Sequence, residues 1–167
     1  MEEVTHMKQK ARVLLAAARI GLGWVFLWAF ADKLLGLGFS TVPEDAWIRG
    51  GSPTFGFLSF GSTGLLAGVY QSIAGHPVVD AMFMLGLAGL GIALLLGIGM
   101  RIAGIAGPLM MVLMWSANLP PANNPIIDQH IIYALVIMAC AAADIGKVWG
   151  LGTWWEAVVG KTARFLV

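Results

Sequence analysis

Apolar residues in this chain come in long unbroken runs instead of alternating or one-face spacings, at residues 13–31, 78–98, 102–119 and 131–143. The first three are long enough, at about 1.5 Å per residue, to cross most of a hydrocarbon layer about 30 Å thick. The fourth is short unless residues 125–130 or 144–150 extend it. Lipid offers no partner to a free peptide group, so runs of this kind are expected to be helical. The pattern predicts an all-α integral membrane protein: an antiparallel four-helix transmembrane bundle with spans at about residues 13–34, 78–98, 102–118 and 127–145. "GMR" between the second and third spans predicts a tight hairpin. Small residues on the spans (Ala17, Gly21, Gly86, Gly89, Gly91, Ala103 and Gly107) suit close backbone packing in lipid, and Pro108 should bend the third span.

The connection between the first two spans, residues 36–77, is the long one. It opens with the polar "STVPEDAWIRGGSP" and continues as "TFGFLSFGSTGLLAGVYQSIAG", apolar but broken by glycine. Ser52 followed by Pro53 reads as a helix start, so short interfacial or re-entrant helices are expected to cap the bundle on the extracytoplasmic side. Residues 147–167 read as an amphipathic tail, with Trp149, Trp154 and Trp155 as interface anchors.

Composition agrees with the pattern: 59% of the 167 residues are apolar and 11% charged, against about a quarter charged in soluble domains. Lys8, Lys10, Arg12, Arg101, Lys147, Lys161 and Arg164 all fall on one side of a four-span layout, while Lys33 and Arg49 fall on the other. That asymmetry predicts a multi-pass protein of the cytoplasmic (inner) membrane with both termini cytoplasmic. The first run is too long for a signal peptide, and "FADKLLG" after it is no small-residue cleavage site, so it is expected to stay as a span. A net charge of +1 gives a nucleic acid nothing to bind. The single cysteine, Cys140, excludes an intrachain disulfide and a CxxC pair, and its alanine-rich setting suits a buried thiol.

Ionisable groups within or at the ends of apolar helices require a reason. Arg19 lies inside the first span, either leaning to the cytoplasmic headgroups, pairing with Asp144, or holding an anionic ligand. At the other membrane face, four helix ends deliver polar groups to one rim: Asp32 and Lys33, His76 and Asp80, Trp115 and Asn118, then Asn123, Asn124, Asp128, His130 and Tyr133. His130, Tyr133, Ile137, Cys140 and Asp144 share one stripe of the fourth span, and Arg19, Phe26, Phe30 and Lys33 a stripe of the first. If both stripes face inward, the bundle holds an aromatic pocket, with Trp24, Phe26, Phe30 and Trp115 as walls and hydrogen-bond donors at its mouth. A quinone ring suits such a pocket. The plainer alternative is that Asn124 and Asp128 are turn and cap residues and His130 an interface histidine. No HExxH or paired-cysteine motif is present, and His76 and His130 do not make a bis-histidine haem site, so neither metal nor haem is expected.

The stretches "GWVFLWAFADKLLGLGF", "AWIRGGSPTFGFL", "DAMFMLGLAGLGIALLLGIGMRIAG" and "MMVLMWSANLPPANNPIIDQHIIYAL" together resemble the DoxX family of small four-helix membrane proteins. They are most similar to its DoxD-like members, known as the large subunit of thiosulfate:quinone oxidoreductase. The resemblance runs from about Arg12 to Trp155 and is most specific at Asp32–Lys33 and "NNPIIDQHIIYAL". It implies a membrane subunit passing electrons from thiosulfate to quinone, with Arg19, Lys33, Asp128 and His130 as the positions carried over. In this reading Lys33, Asp128 and His130 are catalytic, and Arg19, Trp24, Phe26, Phe30, Asp32, Trp115, Asn118, Asn124 and Tyr133 line the substrate and quinone site. Lys33 and Arg49 are the cations available to a dianionic donor. The expected partners are the bilayer, quinone, and a small DoxA-like subunit or soluble redox protein; a homo-oligomer stays open. The alternative is a non-catalytic scaffold that docks a soluble redox enzyme.

Overall fold

The computed structural model describes residues 2–122 and 124–160, with side chains from residue 8 onward; Asn123, Lys161 and Arg164 lie outside the described residues. Helix α1 (Glu2–Leu35) begins far ahead of the apolar run, because "EEVTHMKQKAR" holds good helix formers with neither glycine nor proline. Hydropathy marked the greasy part of this helix and not its start. Helix α3 (Pro77–Leu96) opens on a proline at its first position, with the His76 ring accepting from the Val78 N–H at 3.3 Å. It closes on Gly97, φ 71°. Gly99, φ 58°, then starts α4 (Met100–Ser116), so two left-handed glycines turn the hairpin expected at "GMR". Pro108 lies inside α4, which continues past it.

Helix α5 (Gln129–Ala142) is shorter than the 127–145 span. Asp128 caps its start, and Asp144, left-handed at φ 51°, stands just past its end. Neither flank extends it: residues 145–147 form a separate 3₁₀ turn. The connection after α1 holds 3₁₀ turns at Pro43–Asp45, Trp47–Arg49 and Gly64–Leu66, a π-turn at Phe57–Gly61, and helix α2 (Ala67–Ser72). Ser52 Oγ accepts from the Phe55 N–H at 3.1 Å, starting the helical turn that becomes the π-turn. Helix α6 (Gly152–Val159) ends the described chain, with Trp149 and Trp154 exposed.

Helices α1, α3, α4 and α5 close a ring in which each runs antiparallel to both neighbours. Gly23 lies against the Leu95 backbone and Gly91 against that of Leu27. Gly86 meets Met110 while Gly107 meets Leu90; Gly107 also meets Ile137 and Gly104 meets Ala141. Arg12 and Cys140 close the ring, bonding to the carbonyls of Ala143 and Leu15. Phe26, Met84, Leu87, Leu94, Met111 and Ile137 fill the interior. Among the described residues two helices are long and apolar enough to cross a membrane, Lys8–Leu35 and Pro77–Leu96. Helices α4 and α5, at 17 and 14 residues, are shorter.

Candidate functional site

Antiparallel packing gathers the C-terminal ends of α1 and α4 and the N-terminal ends of α3 and α5 at one end of the ring, where residues 36–76 cover them. Two carboxylates hold this cover down from below. Asp32, 1% exposed, accepts from the N–H groups of Phe39 and Ser40 at 3.2 and 2.9 Å and from Ser40 Oγ at 2.7 Å. Gly36 and Gly38, both left-handed, turn "GLGFS" back over it. Asp80, 5% exposed, accepts from Ser52 Oγ at 2.9 Å, the Thr54 N–H at 3.2 Å and Thr54 Oγ1. Thr63 donates through Oγ1 to Asn118 at 2.7 Å and through N–H to the Ala117 carbonyl at 2.9 Å. Tyr70 bonds the Leu113 carbonyl and Ser116 Oγ. Asp32 and Asn118 therefore satisfy the protein's own loops. Asp80, one of the rim groups read from the sequence but not placed in the substrate and quinone site, is a carboxylate in the first turn of an otherwise apolar helix.

Helix α5 is capped as its sequence allows. Asp128 accepts from the N–H groups of His130 and Ile131 at 2.9 and 3.4 Å, and its other oxygen meets His130 Nδ1 at 2.7 Å. Asn124 Oδ1 accepts from the N–H groups of Ile126 and Ile127, and Trp115 Nε1 donates to the Ile126 carbonyl at 2.8 Å. Residues 124–130 form a turn held at three points, in which Asp128 both caps the helix and aims the imidazole. Burial pushes the Asp128 carboxyl upward, but the His130 ring and the two backbone N–H groups outweigh it and hold the carboxyl below the usual range. A group lowered in this way stabilises the fold above its unfolded value, about 3.9, and loses that contribution as pH falls through the folded value. Asp128→Ala is thus expected to cost about 1 kcal/mol at neutral pH. Its thermal midpoint should fall below that of the wild type at pH 7 and converge on it in acid below the folded pKa. An unchanged midpoint at pH 7 would remove the cap from the account.

Most of the two stripes turns inward, except Asp144, which is exposed, and Lys33, which lines a groove on the outside of α3 and α4. Arg19, Phe26, Ile137 and Cys140 are buried, and Phe30, Tyr133 and His130 are partly so. Between them apolar side chains pack together as the core of the ring. Trp24 is 56% exposed on the outside of α1 and leans on Trp28, which in turn meets Phe39 edge-on. Arg19 lies at the opposite end of the ring from Lys33. Its guanidinium neither leans outward nor pairs with Asp144, which is exposed and bonded to Lys147 at 2.8 Å. It donates to the carbonyls of Leu94 and Leu95 at the end of α3 and of Val148 and Trp149 beyond α5. No group of three or more metal-ligating side chains occurs among the described residues.

A groove of about 1480 Å³ opens on the outer side of the α3–α4 pair. It runs from the cover (Thr54, Phe60, Tyr70) along both helices to Ile98 and Trp155. Lys33 and Asp45 are the charged residues that line it, and both belong to the covered end. Lys33 Nζ donates to Ser40 Oγ at 3.2 Å, and Ser40 in turn donates to Asp32, so a relay from ammonium to carboxylate stands at the polar end. Of the expected site residues the groove takes Lys33; Asp128, His130, Trp115, Asn118, Asn124 and Tyr133 lie outside its lining. Comparison with family models, curated proteins and solved structures found no match to this chain.

Proposed function

We propose that the chain is a four-helix membrane protein of the DoxX type, with α1, α3, α4 and α5 as its spans and both termini cytoplasmic. In this reading it is the membrane subunit of a quinone-linked oxidoreductase and takes electrons from a small reduced sulfur compound such as thiosulfate. The observation that carries the quinone assignment is the α3–α4 groove, apolar along its length and polar at the end where Lys33 and Ser40 meet. Outward apolar side chains on every ring helix, such as Leu14, Leu85, Ile105 and Leu135, support the membrane setting, as does the lysine and arginine asymmetry. A small DoxA-like or soluble redox partner would deliver the electrons. Two thiosulfates joining as tetrathionate release two electrons, and quinone takes these with two protons to become quinol. Lys33 hydrogen-bonds a quinone carbonyl, and the Asp128–His130 pair is a proton-carrying group at the rim, outside the groove.

Lys33→Ala is expected to lower thiosulfate-dependent quinone reduction by roughly tenfold to a hundredfold, the worth of one charge-assisted hydrogen bond. The assay uses purified protein with a candidate partner subunit, and fold is checked by circular dichroism. One observation favours the scaffold reading instead: Arg19, Asp32, Asp80, Trp115, Asn118 and Asn124 are all spent on the protein's own backbone and loops. No turnover by wild-type protein with donor, partner and quinone supplied would make that reading the better one.

A further inference from the structure

We propose that the groove recognises its ligand by the tail as well as the head: an isoprenoid quinone enters sideways from the lipid and lays its tail along α3 and α4, over the gap left by Gly89. This rests on the reading that the groove holds a quinone. The argument starts from the glycines. Gly91 and Gly107 are pressed against neighbouring helices, so packing alone accounts for them. Gly89 is different: it is exposed, it lines the groove, and a Cβ built on it meets nothing within 4 Å. Glycine is the poorest helix former after proline, and here no close contact within the protein requires it. What its missing side chain does is keep the groove open halfway along. Gly86 and Ala93 on α3 and Ala103 and Ala106 on α4 keep the same floor low.

Dimensions and charge select the occupant. From Val79 to Ile98 the floor is about 28 Å long at ~1.5 Å per residue. An extended hydrocarbon chain fits it. The charged lining residues sit at one end only, which calls for an occupant polar at that end and apolar throughout the rest.

The test measures binding of a long-tailed isoprenoid quinone and of its tail-less benzoquinone head to wild type, Gly89→Leu and Lys33→Ala in detergent micelles. A Cβ at 89 meets nothing within 4 Å, and an unfolding midpoint no lower than wild type certifies the fold. The expected result is that wild type binds the long-tailed quinone at least tenfold more tightly than the head. Gly89→Leu should abolish that advantage and leave head binding unchanged, whereas Lys33→Ala should weaken both. Equal binding of the two probes, or a long-tailed affinity untouched by Gly89→Leu, overturns the tail slot and leaves the head site standing. If wild type binds neither quinone yet takes up phosphatidylglycerol in a Gly89-dependent way, the slot stands as a tail slot and the quinone reading falls. A dimer of the wild-type chain that Gly89→Leu dissociates would put a second copy in the groove and overturn the proposal.

Discussion

Arg19→Met is expected to lower the unfolding free energy by about 3–5 kcal/mol, the usual cost of stranding buried polar groups that had one shared partner. The guanidinium is 0% exposed and serves two segments far apart in sequence. On one side it donates to Leu94 and Leu95, whose carbonyls belong to the unsatisfied last turn of α3 and to the negative end of its dipole. On the other it donates to Val148 and Trp149 at 3.0 and 3.1 Å. Trp149 is left-handed, φ 53°, as is Asp144, φ 51°, a conformation that disfavours side-chain-bearing residues by roughly 1–2 kcal/mol each. Arg19 helps hold that strained loop against the bundle. Methionine matches much of the volume and none of the donors. Lysine, a single point donor, should reach one side only and recover part of the loss. The check is an unfolding titration in mixed micelles; a loss below about 1 kcal/mol would mean that water or other groups satisfy these carbonyls.

Gly91→Leu should be comparably damaging, by about 3 kcal/mol, because overpacking is worst where the obstacle is backbone. A Cβ at 91 would stand 2.8 Å from the Leu27 nitrogen and 3.0 Å from its Cα. Neither atom can swing aside, so α1 and α3 must part along their seam, which Gly23 keeps equally tight against the nitrogen of Leu95 at 2.5 Å. The matched control is Gly21→Leu: nothing lies within 4 Å of its Cβ, and its unfolding midpoint should not fall. Equal behaviour of the two variants would show that the α1–α3 seam is looser than its backbone contacts require.

Much of the fold was legible beforehand because its cause is local and repetitive. Apolar runs marked the four ring helices, the shared stripes marked which faces turn inward, and Asp128 and Ser52 announced helix starts through hydrogen bonds that reach only a few residues. Boundaries were less legible. The polar leader of α1 is helical because of its propensity and not its hydropathy, and α5 stops short where Asp144 turns left-handed. The candidate site was legible only in part. Convergence of polar residues on one rim could be read from topology, but Asp32, Asn118 and Asn124 turned out to serve loops that fold back onto them.

What the amino-acid sequence determined by itself was the helical class, the number of apolar runs and the rim at which the polar residues gather, since hydropathy, periodicity and caps act within a few turns of chain. Only the tertiary structure decided which glycine is pressed to a neighbour and which is open, for Gly89 and Gly91 are two residues apart and differ only in what faces them. It alone decided that Arg19 binds carbonyls some 75 and 130 residues away. It also opened the groove along α3 and α4. These are properties of surfaces meeting in space: close packing fills the ring's centre with whatever side chains point inward, and the free volume is left where two small-residue faces stand apart.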